Sequence, residues 1–168
     1  MKGELTGDNV IIYGDKSKSF YDKGCFGSFE KNKLILSLTE ALYLMEKERI
    51  EVYEKEKKLD FDSFIKKAQK IEPKFWVKYH VYKDIRSRGY ITKTALKYGA
   101  DFRVYDRGKL PGTHAKWVLF CVSESEGFVW QQFTAMGRVA HSTKKKLLIG
   151  ILDAENDVTY YEADWTTP

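Results

Sequence analysis

The second half of the chain holds three kinds of side chain that move protons or hold charge, each beside a turn or loop. Tyr105 closes the strand-like stretch Asp101 to Tyr105 and precedes the turn residues Asp106-Arg107-Gly108. His114 belongs to the loop around Lys109 to Thr113, which contains Pro111 and Gly112, and Lys144-Lys145-Lys146 opens the apolar run that starts at Leu147. Side chains at such junctions can converge on one edge of a rigid sheet. A tyrosine, a histidine and a lysine suit cleavage of an RNA phosphodiester. The 2′-hydroxyl must lose a proton, the leaving 5′-oxygen must gain one, and charge on the phosphoryl oxygens must be stabilised. Histidine titrates near neutral pH and serves as donor or acceptor, and an ammonium stabilises charge that develops in the transition state. Tyrosine, with a reference pKa of about 10, needs nearby cations to act as a base at pH 7. Lys145 and Arg107 are the expected ones.

Taken singly, each residue has a plainer reading. A strand tyrosine is usually half-buried packing, a histidine in a Gly/Pro loop is usually an exposed polar residue, and a lysine run is usually a solvated patch. On a strand, neighbours face opposite ways, so only alternate lysines would point to one side. His80, on a helix, and His141, after Ala140, read as structural.

The elements around these residues follow from periodicity and breakers. Phe75 to Arg88 is helix-like, with Phe75, Tyr79, Tyr82 and Ile85 on one face and Gly89 as its stop. Trp117 to Val122 reads as a strand, Phe128 to Val139 as a helix, Leu147 to Asp153 as a buried strand and Val158 to Trp165 as an alternating one. Asp153-Ala-Glu-Asn-Asp157 joins the last two as a hairpin. In the first half, Asn9 to Tyr13 is a strand closed by Gly14, and Ile50 to Tyr53 is another. Ser37-Leu-Thr-Glu40 is a capping box ahead of an apolar helical stripe through Leu38, Ala41, Leu42, Leu44 and Met45. Asp62 or Ser63 is expected to cap a short helix, Phe64 to Lys70, that Pro73 stops. Pro73 is the expected domain boundary. The fold expected is α/β (α+β): a small mixed α/β N-terminal domain, 1–73, for structure or assembly, and a C-terminal nuclease domain, 74–168, with a mixed sheet flanked by helices.

Composition narrows the function classes. The chain has 168 residues, 43% of them hydrophobic and 32% charged, which is too apolar for disorder and too polar for a membrane span. Leu147 to Leu152 is far shorter than the ~20 apolar residues of a bilayer crossing. The net charge of +5 and an aromatic content of 15% suit nucleic acid, through cations on phosphates and rings on bases, or else two small aromatic cores. Cys25 and Cys121 form no CxxC and argue against a disulfide scaffold or a zinc site. The three histidines show no HxxxH spacing, so neither a metal nor a cofactor is expected. No apolar segment follows Met1-Lys2, so no secretory leader is expected and the expected setting is the cytoplasm.

Three blocks, YKDIRSRGY (82–90), KYGADFRVY (97–105) and RVAHSTKKKLL (138–148), occur in that order. With the residues between them, Lys78 to Tyr161, they closely resemble the archaeal tRNA-splicing (tRNA-intron) endonuclease family, and Ser37 to Leu44 resembles it more loosely. The resemblance implies a catalytic Tyr105, His114 and Lys145, with Tyr as base toward the 2′-hydroxyl, His as acid toward the 5′-oxygen and Lys stabilising the phosphorane-like state. Position 144 is Lys where the family commonly has Arg, which leaves Lys144 and Lys145 as alternatives. The resemblance further implies cleavage of precursor tRNA in a bulge–helix–bulge without a metal, giving a 2′,3′-cyclic phosphate and a 5′-hydroxyl. It implies a flipped base stacked on Arg138, with Lys144 and Trp165 as further substrate-binding residues. It also implies a homotetramer, or a heterotetramer with a second endonuclease subunit, docked through the acidic loop of Asp153, Glu155 and Asp157. A structural subunit of the same complex, or an RNA-binding module without catalysis, are the alternatives. Tyr105, His114 and Lys145 together disfavour both.

Overall fold

The computed structural model describes residues 1–108 and 112–168. Its contacts divide into two compact units, Met1–Tyr79 and His80–Pro168. In the first, strands β1 (Lys2–Thr6), β2 (Asn9–Tyr13), β3 (Ser28–Glu30), β4 (Lys33–Ser37), β5 (Glu51–Glu54) and β6 (Lys57–Leu59) form one sheet in the order β3-β4-β2-β1-β5-β6. Neighbours are antiparallel except β1 and β5, which run parallel with Gly3 opposite Val52. Helices α1 (Lys18–Asp22), α2 (Leu38–Glu46) and α3 (Phe61–Ile71) complete the unit. Its core gathers Val10, Ile12, Leu34, Leu36, Leu42, Leu44, Val52 and Phe64, all essentially inaccessible.

The capping box at Ser37 forms. Ser37 Oγ accepts from the Glu40 N–H, and the Glu40 carboxylate accepts from the Ser37 N–H at 3.0 Å and from the Gly27 N–H at 2.8 Å. The buried carboxylate thus ties a helix start to a neighbouring turn, which satisfies donors that burial would otherwise leave unmade. Helix α3 starts earlier than the expected Phe64, because Asp60 and not Asp62 or Ser63 is its cap, accepting from the Ser63 N–H at 2.8 Å. Asp60 satisfies a free donor of the first turn, and Asp62 then sits inside that turn, where a negative charge suits the helix dipole.

Tyr79 is buried in the first unit and donates its hydroxyl to Glu46 at 2.8 Å. Burial, reinforced by the Glu46 hydrogen bond, pushes its phenol far above the ordinary value near 10. In the unfolded chain that phenol ionises near pH 10, whereas the folded chain keeps its proton, so above pH 10 the folded state binds one proton more. Stability is therefore complete below pH 10 and falls as pH rises, by about 1.4 kcal/mol per pH unit. Urea unfolding at pH 9 and pH 11 should show a smaller alkaline loss in Tyr79→Phe than in the parent; equal losses would refute the assignment.

The second unit contains the residues His80–Ser87 of α4 (Phe75–Ser87), strands β7 (Ile91–Thr94), β8 (Phe102–Tyr105), β9 (Trp117–Ser123), β10 (Lys146–Leu152) and β11 (Val158–Ala163), and helix α5 (Trp130–Ser142). The sheet order is β11-β10-β9-β8-β7, and β9 and β10 are parallel, joined through α5 as a βαβ unit. Helix α5 begins at Trp130 rather than the expected Phe128; the Val129 N–H is taken by the Gln132 side chain at 3.2 Å. Val118, Phe120, Leu147 and Ile149 pack under Ala140 of α5. On the other face, the Tyr82 ring lies 5.6 Å from that of Phe102, and Tyr160 donates its hydroxyl to Asp84 at 2.9 Å. Gly150 allows this helix to approach, since a Cβ there would lie 2.8 Å from Val81 Cγ1. Helices thus cover both faces of a mixed sheet.

Candidate active site

Three devices place the candidate residues. The first is strand alternation. Arg103 of β8 stands opposite Val118, which puts Arg103 and Tyr105 on the face covered by α5. Tyr105 is 3% exposed, and burial pushes its phenol above the ordinary value. Arg103, with its guanidinium carbon 5.9 Å from the Tyr105 ring centre, opposes that shift, whereas Tyr98 adds to it. The expected cations, Lys145 and Arg107, are not the ones that act on Tyr105: Arg107 lies over the Tyr90 ring at 4.9 Å and Lys145 over the Tyr98 ring at 5.4 Å. Arg103 was legible, because two residues along a strand return to the same face.

The second device is the stop of α5. Lys144 takes a left-handed backbone, φ 54°, and the Lys145 N–H bonds to Ala140 O at 2.9 Å while the Lys144 N–H bonds to His141 O at 3.1 Å. This is a Schellman closure with a lysine where glycine is usual. It corrects the expectation of three lysines alternating along one strand, since only Lys146 belongs to β10. Lys144 is exposed and serves as the stop. The Lys145 ammonium donates to Thr143 O at 2.9 Å and, among the described residues, pairs with no carboxylate. Lys146 is engaged, donating to Glu162 at 2.7 Å and Asp164 at 3.3 Å. Those carboxylates raise its ammonium above the ordinary value, and Lys146, followed by the Trp117 indole N–H, lowers Glu162.

The third device is the return of the chain into β9. The Lys116 N–H bonds to Val104 O and the Lys146 N–H to Lys116 O, which draws the approach to β9 against β8 and β10. His114 lies two residues before Lys116, with its imidazole exposed. Lys109, Leu110 and Pro111 of the expected loop lie outside the described residues. The Tyr98 ring lies beside the Lys145 ammonium, and His114 is carried by the segment that enters the sheet next to the end of β8.

A pocket of about 450 Å³ opens between α5 and the chain after β11, lined among others by Arg138, His141, Lys145, Asp164 and Trp165. That size falls in the range of small-ligand sites, about 300–1,000 Å³. Arg138 and Trp165 therefore line one pocket, and Trp165, 56% exposed, is not a core ring. His141, read as structural, is exposed and its ring lies 4.5 Å from that of Trp165. Its spacing of three from Arg138 on α5 is the signal that places it there.

Of the acidic loop, Asp153 is half-buried and organises the turn, its carboxylate accepting from the Glu155 and Asp157 N–H groups at 2.9 and 2.8 Å. The Glu155 and Asp157 side chains are exposed. Among the described residues no group of three or more His, Cys, Asp or Glu is placed to hold a metal ion, and no helix is long and apolar enough to cross a membrane.

One α+β unit thus carries a buried strand-end phenol, an exposed imidazole and an ammonium that, among the described residues, pairs with no carboxylate. Comparison with known proteins gives the family. Residues 75–160 match the model of the tRNA intron endonuclease catalytic C-terminal domain, and residues 1–65 match that family's N-terminal domain. The chain is 40% identical over 163 residues to a tRNA-splicing endonuclease of Thermococcus onnurineus, covering 96% of this chain and 94% of the relative. It is 39% identical over 171 residues to one of Methanothermobacter thermautotrophicus, covering 100% and 99%. With one of Nanoarchaeum equitans it shares 45% over 140 residues, covering 79% and 90%. The chain belongs to the tRNA intron endonuclease family.

Proposed function

We propose that this enzyme cuts precursor tRNA at the intron boundaries within a bulge–helix–bulge, using Tyr105, His114 and Lys145 and no metal. The observation that carries the reading is the Lys145 ammonium, held beside Tyr98 with no carboxylate among the described residues to cancel its charge, on the unit where Tyr105 ends β8. Tyr105 takes the proton of the 2′-hydroxyl as that oxygen attacks phosphorus. Lys145 stabilises the charge gathering on the non-bridging oxygens. His114 gives its proton to the 5′-oxygen as the P–O bond breaks. The products are a 2′,3′-cyclic phosphate and a 5′-hydroxyl. Burial makes the Tyr105 phenolate scarce at neutral pH but more basic once formed, and Arg103 is the cation that limits the scarcity.

RNA is read by shape and by splayed-out bases. In this reading an unstacked bulge base enters the pocket beside Arg138 and Trp165, where guanidinium and indole both offer stacking surfaces. Lys144, exposed at the helix stop, attracts the backbone. Two cuts on one RNA require two sites at a fixed separation, so the chain works as a homotetramer or as a heterotetramer with a second endonuclease subunit. Glu155 and Asp157 then dock into a basic groove of a neighbouring subunit, while Asp153 shapes their turn. The domain division of 1–73 for assembly and 74–168 for catalysis belongs to the same reading.

The test uses RNAs that differ only in the bulges. An RNA with both bulges should be cut twice, and one with a bulge closed into perfect helix should lose the cut at that position. Equal cutting of both would refute recognition of the bulge.

A further inference from the structure

We infer that Tyr98 is a positioning residue for Lys145: its ring face fixes the ammonium where the phosphoryl group reacts, without neutralising it. This rests on the reading of Lys145 as the charge-stabilising group. A lysine stem has four rotatable carbons and loses much rotamer freedom when fixed. A charge that must act at once on a developing phosphorane is best held beforehand. A carboxylate would hold it, as Glu162 and Asp164 hold Lys146, but would also cancel its field. Among the described residues, Lys145 is held by a backbone carbonyl, Thr143 O at 2.9 Å, and by the Tyr98 ring, 5.4 Å from ammonium to ring centre. Both are uncharged. An aromatic face attracts a cation through its quadrupole and leaves the net charge intact.

The ring is well anchored for the purpose. Tyr98 ends a short 3-10 turn, Leu96–Tyr98, closed by its own N–H to Ala95 O at 2.8 Å and by Gly99 at φ 73°. Ala95 and Ala100, which bracket the turn, are buried in the core under α5. The Tyr98 ring itself remains 36% exposed, so it is not spent on filling that core.

The experiment measures single-turnover cleavage of an intron-containing precursor tRNA by excess full chain, at saturating and limiting enzyme. Tyr98→Leu should lower the rate at saturation by about five- to tenfold with an unchanged half-saturating concentration, and Tyr98→Phe, which keeps the face, should restore most of the rate. In a Lys145→Ala background Tyr98→Leu should cost nothing further, because the residue acts only through the ammonium. A purely structural role would instead give an additive loss, and that result overturns the inference. So does a Phe variant as slow as the Leu variant, or a Leu variant as fast as the parent. If Lys145→Ala alone cuts at the parent rate, the reading of Lys145 fails instead, and that outcome is separate from a failure of Tyr98.

Discussion

Cleavage of an intron-containing precursor tRNA by the His114→Ala variant is expected to be about 10²–10⁴-fold slower than by the parent, the usual contribution of one positioned acid. The exposed imidazole is not part of any core, so the loss should come without a change in unfolding midpoint. The role, and not only the size, is testable. Replacing the leaving 5′-oxygen by sulfur removes the need for an acid, so that substrate should restore most of the His114→Ala rate. If it does not, His114 acts elsewhere in the reaction. With the acid removed, a rate that rises with pH reports deprotonation of Tyr105, whose phenol burial pushes above the ordinary value near 10. A base must be deprotonated, and each pH unit below its pKa leaves tenfold less phenolate. The residual rate of His114→Ala should therefore rise about tenfold per pH unit from neutrality to about pH 9. Adding Tyr105→Phe should slow it at every pH in that range. Coincident profiles for the single and double variants would remove Tyr105 from the role of base.

The second large effect belongs to Lys145. Lys145→Ala should cost about 10²–10³-fold in rate at saturating RNA, as expected for a group aimed at transition-state charge. Lys146→Ala should change the rate far less, since its ammonium is already committed to Glu162 and Asp164. Lys144→Ala should weaken RNA binding at low salt more than it slows the chemical step, because an exposed lysine contributes through phosphate contacts and counterion release. A ranking in which Lys144→Ala or Lys146→Ala is slower than Lys145→Ala would contradict the assignment. The ranking is informative because the three residues adjoin in sequence and differ in setting: an exposed helix stop, an ammonium held by uncharged groups, and a strand residue paired to carboxylates.

How much of this was legible depended on whether the deciding signal was local. Asn9–Tyr13, the capping box at Ser37 and the hairpin from β10 to β11 follow from residues within a few positions of one another, and all stand where the sequence puts them. Two other hairpins were invisible. Their turns, Lys31-Asn32 and Lys55-Glu56, take positive φ at both central positions without glycine, so β3, β4 and β6 carry no Asn-Gly-type signature. The same substitution of chemistry hid the stop of α5. Lys144 does the work of a C-terminal glycine, and a lysine run beside an apolar strand reads as strand. The candidate lysine was left between Lys144 and Lys145 because position 144 is Lys where the family commonly has Arg, and a strand reading gives the two no difference in backbone role. Arg103 could have been found by counting two back from Tyr105, whereas Tyr98 meets Lys145 only through the fold, across the sheet and the end of α5. The stacking of His141 on Trp165 is equally non-local. Side chains that meet through tertiary packing leave no spacing to read.

The most direct test of the central claim is to incubate the purified chain with an intron-containing precursor tRNA in excess EDTA and map the ends of every product. Tyrosine, histidine and lysine acting alone predict cuts at both intron boundaries, each leaving a 2′,3′-cyclic phosphate and a 5′-hydroxyl. Cleavage that needs Mg²⁺, or that leaves a 3′-hydroxyl and a 5′-phosphate, would contradict it.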